Sequence, residues 1–168
     1  MNSLNIANII RFFALIVAQV LIFNHINFAG TINPYPYILF ILLYPVNNNR
    51  TLFIFMSFLL GLIVDIFSDS GGVHAAACVT IAYIRPAILK FAFGMIYEHQ
   101  TIRFNNTEIG NRIIYFSFLI LIHHFLIFLL EIFNISRILM VFQKTLFSSI
   151  FTLILCILIS TLFSKKQR

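Results

Sequence analysis

Long apolar runs recur along this chain, and they constrain its fold more than any other feature. The first, Ile6 to Ala29, carries only Arg11, and a later one, Leu52 to Phe67, carries only Asp65. A helix crosses a hydrocarbon layer ~30 Å thick with about 20 such residues. The composition agrees, since 61% of the residues are hydrophobic and only 10% are charged. These features predict a polytopic helical membrane protein and exclude a soluble enzyme.

We predict one integral membrane domain over residues 1–168, an all-α bundle of six transmembrane helices. The second span is the shortest, because 13 residues of helix extend only about 20 Å. Pro45 also discourages its continuation, so this span is expected to be tilted, broken or re-entrant. The first apolar run is retained as a permanent helix, since it lacks a convincing cleavage site. The predicted spans are 6–29, 34–46, 51–67, 73–93, 113–133 and 138–163.

The net charge of +6 is interpreted as a topology signal, not as an affinity for nucleic acid. Six crossings place both termini on one face. If that face is cytoplasmic, Arg137 and Lys144 are the only basic residues on the outer side, and Arg85 lies within the membrane. The excess of basic residues on the inner side is what the positive-inside rule favours. The predicted location is therefore the bacterial inner membrane with both termini cytoplasmic. The basic residues of the inner side would be Arg11, Arg50, Lys90, Arg103, Arg112, Lys165, Lys166 and Arg168.

Asp65 is the first functional clue, because it ends an otherwise uncharged apolar run. An ionised group near hydrocarbon costs roughly 2.5 to 3.5 kcal/mol at mid-membrane and less near the surface, so a partner must compensate it. The nearest candidate is the start of the fourth helix after Gly71 and Gly72, where free backbone N–H groups carry partial positive charge. Asp65 would then lock the hairpin between the third and fourth helices. The alternative is a loop residue at the water interface.

Arg85 and His123 are the other intramembrane polar candidates. Counting 1.5 Å per residue places them at nearly equal depth, so His123 is predicted to accept a hydrogen bond from Arg85. Pro86 also frees the carbonyl of Ala82 as a further acceptor. The alternative is that Arg85 snorkels toward the inner headgroups. Asp65 lies about 15 Å from Arg85 in depth and is not predicted to pair with it.

No catalytic residue, metal site or cofactor site is predicted. His123 and His124 point about 100° apart on a helix, and Glu131 lies more than about 10 Å further along the axis. We therefore expect a packing role, with one histidine facing the bundle and forming a hydrogen bond across it. The two cysteines, Cys78 and Cys156, lie at different depths, which excludes a disulfide.

Small residues at helical spacing predict internal helix contacts in three spans. The polar stretch from Gly94 to Arg112 is expected either to lie along the inner membrane surface as a contact element or to form a solvated connector. The small residues are Ala14 and Ala18 in the first span, Ser57 and Gly61 in the third, and Ser148, Thr152, Cys156 and Ser160 in the last.

One ordered set of motifs resembles the rod shape-determining protein MreD family. Gly61-Leu62-Ile63-Val64-Asp65 resembles its Gly-Leu-x-x-Asp motif. Gly72-Val73-His74-Ala75 resembles its entry to the next helix, and Ala82-Tyr83 its Ala-Tyr pair. Length and the predicted spans agree over the whole chain, while the motifs cover only Gly61 to Tyr83. His74 and the Arg85-Pro86 step do not match the family pattern.

The resemblance implies a non-catalytic scaffold of the bacterial cell-elongation machinery, which supports rod shape and lateral peptidoglycan synthesis. Its implied partners are MreC, and indirectly MreB and the lateral-wall peptidoglycan synthase. The family also resembles the substrate-binding components of vitamin transporters, which supplies the alternative function. In that case the face of Ala14 and Ala18 would dock on a coupling subunit, and polar groups near Asp65, Asp69 and His74 would hold a small vitamin.

Overall fold

The structure, a computed structural model, describes residues 3–26, 32–46, 49–94 and 107–162 and has an all-α architecture. Five of its helices, all except α2, are long and apolar enough to cross a membrane. These features indicate a multi-pass membrane protein. The helices are α1 (Ser3–Leu21), α2 (Leu39–Leu43), α3 (Arg50–Ser68), α4 (Val73–Phe93), α5 (Ile109–Ile132) and α6 (Ile138–Leu162), with 3-10 turns at Phe23–His25, Pro36–Ile38 and Ile135–Arg137.

The last four helices pack in chain order, α3 on α4, α4 on α5 and α5 on α6. Helix α1 runs in the same direction as α3, because Asn24, just after α1, donates from Nδ2 to Oγ of Ser68 at the end of α3 over 3.0 Å. We call the end of the bundle where α1 and α3 finish and α4 begins the Asp65 end, and the opposite end the Arg50 end. The chain between α1 and α3 must therefore return through or along the bundle.

That return is the segment 33–46, which runs through the centre of the bundle. Residues Tyr37 to Leu42 are all at most 2% exposed. The predicted second span is thus a broken helix in which only Pro36–Leu43 is helical. The residues on either side are not helical, and a non-helical residue can advance up to about 3.3 Å against 1.5 Å in a helix. This mixture lets a short segment connect the two ends.

The other boundaries follow the hydrophobicity pattern closely, with two exceptions. The predicted fourth span coincides with α4, and the third and sixth differ from α3 and α6 by a residue at one or both ends. The first helix ends at Leu21, not near residue 29, and residues 27–31 lie outside the described part. Helix α5 begins at Ile109, so Arg112 is helical and not part of the connector. The expected surface element of that connector falls largely on residues 95–106, outside the described ranges.

The small-residue faces have different environments. Ser57 and Gly61 are buried on α3, as predicted. Ala14 is instead exposed on the surface of α1, on the same side as Ile10 and Val17, and Ala18 is only half-buried. The prediction of internal packing is therefore wrong for Ala14, because the opposite face of α1, with Phe12 and Ile16, is the one that enters the core.

Candidate functional site

The carboxylate of Asp65 holds the turn between α3 and α4 together. Its Oδ1 accepts from the backbone N–H of His74 at 2.9 Å, and its Oδ2 accepts from that of Ala75 at 2.8 Å. The hydroxyl of Ser70 also donates to Oδ1. The expected partner, the free N–H groups at the start of the fourth helix, is confirmed. These bonds occupy both carboxylate oxygens, which explains how the side chain is only 4% exposed.

Gly61 makes this arrangement possible, because it lies one turn before Asp65 on the same face of α3. A Cβ at position 61 would lie 2.5 Å from the carbonyl oxygen of His74 and 2.6 Å from the Cα of Ala75. Those neighbours are backbone atoms, which a rotamer change cannot move away. The spacing Gly-x-x-x-Asp thus combines a close helix contact with the carboxylate that caps the neighbouring helix.

The remaining motif residues divide between the core and the surface. Ala75 and Ala82 are buried in the bundle, whereas Leu62 is half-buried. Gly72 precedes α4 with φ at +96°, a conformation that favours glycine. Tyr83 is 63% exposed, and the guanidinium of Arg50 lies 5.1 Å from its ring centroid.

Hydroxyl groups of α6 satisfy the extended backbone that precedes α2. Pro34 and Pro36 have no N–H to satisfy. The N–H of Asn33, before the first proline, donates to Oγ of Ser148 at 3.2 Å, and the N–H of Tyr35, between the prolines, donates to Oγ1 of Thr152 at 3.1 Å. Unpaired backbone groups are very costly in a membrane interior. The stripe Ser148, Thr152, Cys156 and Ser160 is buried as predicted, but its first two members bind an unwound segment instead of admitting a helix.

Arg85 satisfies the other end of the same segment. Its Nη2 donates to the carbonyls of Leu42, at 3.3 Å, and of Tyr44, while its Nε donates to the hydroxyl of Tyr115 at 2.7 Å. That hydroxyl in turn donates to the carbonyl of Leu42 at 3.1 Å. The free carbonyls at the end of α2 carry partial negative charge, so a guanidinium is a suitable cap.

The predicted bond between Arg85 and His123 is wrong, and so is the snorkelling alternative. Arg85 is only 3% exposed and points into the core. Helix α5 begins four residues earlier than expected, which moves His123 about 6 Å closer to the Asp65 end. Tyr115, eight residues earlier on α5, therefore lies at the depth of Arg85.

His123 contacts Tyr37 instead of Arg85. The hydroxyl of Tyr37 lies 2.8 Å from Nδ1 of His74 and 2.9 Å from Nε2 of His123, and so joins α4 to α5 through the central segment. The sulfur of Cys78 also lies 4.0 Å from Nε2 of His123. The hydrogen bond across the bundle that we expected of one histidine is thus confirmed.

His124 makes a second contact across the bundle. Its Nδ1 donates to the carbonyl of Ile120 at 2.9 Å, so in the neutral ring Nε2 accepts from the hydroxyl of Thr152 at 3.0 Å. Since that hydroxyl also accepts from Tyr35, one side chain of α6 connects the central segment to α5. Both histidines are fully buried and face different partners. Within the described ranges, no group of three or more histidine, cysteine or acidic residues could hold a metal ion.

A cavity of about 730 Å³ opens at the Asp65 end of the bundle. The 3-10 turn after α1, the start of the central segment, the α3–α4 turn and the last turns of α5 form its walls. Asp69 and Glu131 supply two carboxylates, and His74 supplies an imidazole next to the ring of Tyr35, with the centroids 5.1 Å apart. The polar lining residues are Asn24, His25, Asn33, Tyr35, Ser68, Asp69, Ser70, His74 and Glu131.

Sequence reasoning missed the aromatic residues that join these parts. Tyr35 and Tyr37 lie in a short proline-containing stretch, and Tyr115 lies in an apolar helix whose local sequence does not indicate the contact with Arg85. No spacing within the chain indicates that Tyr37 meets two histidines 37 and 86 residues away. The alternation Asn33-Pro34-Tyr35-Pro36 was the available signal for an extended segment, because proline lacks the N–H that a helix requires.

Searches against family models, curated proteins and solved structures find no match for this chain.

Proposed function

We propose that this protein is a non-catalytic inner-membrane scaffold of the bacterial cell-elongation machinery, which binds MreC and supports rod shape and lateral peptidoglycan synthesis. The observation that carries the proposal is how the buried polar side chains are used. Asp65, Arg85 and Thr152 each bind backbone groups of another segment of the same chain. They hold the bundle together and leave its apolar outer surface for other membrane proteins.

The Gly61 to Tyr83 region supports the resemblance to the MreD family on physical grounds. Gly61 and Asp65 each have a defined role in joining α3 to α4, which gives a physical reason for these two residue types at this spacing. A hairpin of fixed geometry is a suitable platform for a partner helix. Tyr83, whose ring faces outward beside Arg50, places an exposed aromatic group on the same hairpin.

We propose six crossings of the inner membrane, made by the five long helices and the central segment, with both termini cytoplasmic. Charge supports this orientation, because Arg50, Lys90 and Arg112 lie toward the Arg50 end. Asp69 and Glu131 lie at the opposite end. Ser136→Cys should react with a membrane-impermeant maleimide in intact cells, while Lys166→Cys should react only after lysis. The reverse pattern would invert the topology.

Copurification tests the scaffold function. Extraction from the native membrane in a mild detergent should recover MreC together with this protein, and deletion should widen or round the cells. MreB and the peptidoglycan synthase should join the complex indirectly. Asp65→Ala should weaken folding or the association with MreC, while Glu108→Ala, at the Arg50 end, should not. Recovery of the protein alone, with normal cell width after deletion, would reject the proposal.

The cavity at the Asp65 end favours a second candidate function, a membrane-embedded component that captures a solute for a transporter. A binding site needs several convergent polar groups in a concave space, and the cavity provides both. The exposed face of α1 around Ala14 would then dock on a coupling subunit. A solute that copurifies and raises the melting temperature, with no association with MreC, would favour this function over the scaffold.

A further inference from the structure

We propose that the cavity at the Asp65 end binds a small organic cation that combines a protonated amine with an aromatic or other apolar part. The proposal names a class of solute for the solute-capture function, and it rests on that function for the biological role of the ligand. Binding itself is measured on the purified protein and does not depend on MreC.

The charge of the cavity wall indicates a cation. Asp69 and Glu131 line the cavity, whereas no lysine or arginine side chain does so among the described residues. Within the same ranges, neither carboxylate has an ion pair or hydrogen bond to another side chain. Lys144 lies nearby on α6, but its Nζ is directed at the ring of Phe128, 5.6 Å from the centroid. A concave wall of one sign concentrates ligands of the opposite sign, even in a chain whose net charge is positive.

His74 provides an independent indication of a ligand. The residue is only 4% exposed and lines the cavity. Its Nδ1 is bound to the Tyr37 hydroxyl, whereas its Nε2 has no partner among the described residues. Nε2 is not among the unpaired atoms that the protein shields fully from solvent, so it is open to the cavity. Nε2 donates or accepts according to the tautomer, so it supplies a second polar contact and does not set the charge of the ligand.

The apolar part of the ligand follows from the rest of the wall. The rings of Phe23, Tyr35 and Phe67 line the cavity, together with Val20, Val73 and Ile127. Aromatic faces attract cations as well as apolar groups. A volume of about 730 Å³ lies within the range of small-molecule sites. The site is therefore suited to an amine that carries a ring, and less suited to a bare metal ion or to an anion.

The test compares two probes of the same size and opposite charge, tyramine and 4-hydroxyphenylacetate. The purified protein in detergent is titrated with each by calorimetry and by thermal denaturation. We expect saturable binding of tyramine and none of the acid. Equal binding of both probes would overturn the assignment of charge, and no saturable binding of tyramine would overturn the site.

Variants locate the site. Because a charge-assisted hydrogen bond is lost, Asp69→Asn and Glu131→Gln should each weaken tyramine binding by about tenfold. His74→Gln should weaken it less, while Glu108→Gln, a carboxylate remote from the cavity, should leave it unchanged. Unchanged affinity in the double variant D69N/E131Q, folded as judged by circular dichroism, would contradict the proposal. Saturable tyramine binding by a wild-type protein that is recovered without MreC would reject the scaffold and leave this site standing.

Discussion

Asp65 and Arg85 are both charged and both buried, with exposures of 4% and 3%, yet their partners differ in origin. Asp65 binds groups that lie 5, 9 and 10 residues further along the chain. Arg85 binds groups that lie 30, 41 and 43 residues away, on two other segments. Each charge compensates the end of a helix, one by accepting from N–H groups and the other by donating to carbonyls.

This difference shows for which buried charged residues the partner can be predicted from a single sequence. A turn of four residues fixes the position of α4 relative to α3, so the partner of Asp65 is almost determined by chain connectivity. Nothing local fixes the depth of the central segment relative to Arg85. Four substitutions compare the local contacts around Asp65 with the long-range contacts of Arg85 and the central segment, from the largest expected effect on stability to the smallest.

Gly61→Ala should have the largest effect, because the added methyl group would meet backbone atoms of α4. We expect the free energy of unfolding to fall by about 3 kcal/mol or more, the upper range for overpacking. Thermal denaturation followed by circular dichroism in detergent measures it. Gly110→Ala is the matched control, since a Cβ there meets nothing within 4 Å. Equal melting temperatures for the two variants would show that α3 and α4 do not approach closely.

Arg85→Met should lower the free energy of unfolding by about 3 kcal/mol, because it removes the buried guanidinium that donates to the carbonyl of Tyr44 and to the hydroxyl of Tyr115. Denaturation in increasing dodecyl sulfate measures the loss. Arg137→Met, at an exposed position, serves as the control. A stable Arg85→Met protein would mean that water or another side chain satisfies the end of α2.

Asp65→Ala should cost about 2 kcal/mol, and Asp65→Asn about half of that, because the amide retains one acceptor oxygen. The expected loss is smaller than for Arg85, since Ser70 and His74 line the cavity and truncation of Asp65 would open the freed N–H groups toward it. The same denaturation series measures it, with Asp69→Asn as the control. A greater loss for Asp65→Ala than for Arg85→Met would reverse the comparison.

Tyr37→Phe should have the smallest effect, about 1 kcal/mol, because it removes one hydroxyl and keeps the ring in place. Its two histidine partners belong to α4 and α5, so the loss measures how strongly the central segment joins these helices. Tyr83→Phe, at an exposed position, is the control. An indistinguishable stability of the two variants would indicate that the hydroxyl of Tyr37 contributes nothing to the bundle.

Prediction from the sequence succeeded for features that depend on hydrophobicity or on residues close to each other along the chain. The fourth span matches α4, and the bonds of Asp65 are the expected ones. Prediction failed for a contact that depended on the relative depths of residues on different helices. A shift of four residues in the start of α5 replaced the predicted contact of Arg85 with His123 by one with Tyr115. The outward orientation of Ala14 was also not evident, because both faces of α1 are apolar.

The sequence by itself determined the long apolar helices and the hairpin between α3 and α4, because apolar length and short connections act locally. Only the tertiary structure decided the path of the central segment, whose backbone groups are satisfied by Ser148, Thr152 and Arg85 from other helices. The cavity likewise exists only after four separate parts of the chain meet. The physical reason is that hydrogen bonds of an unwound backbone in an apolar interior must come from whatever residues packing brings near.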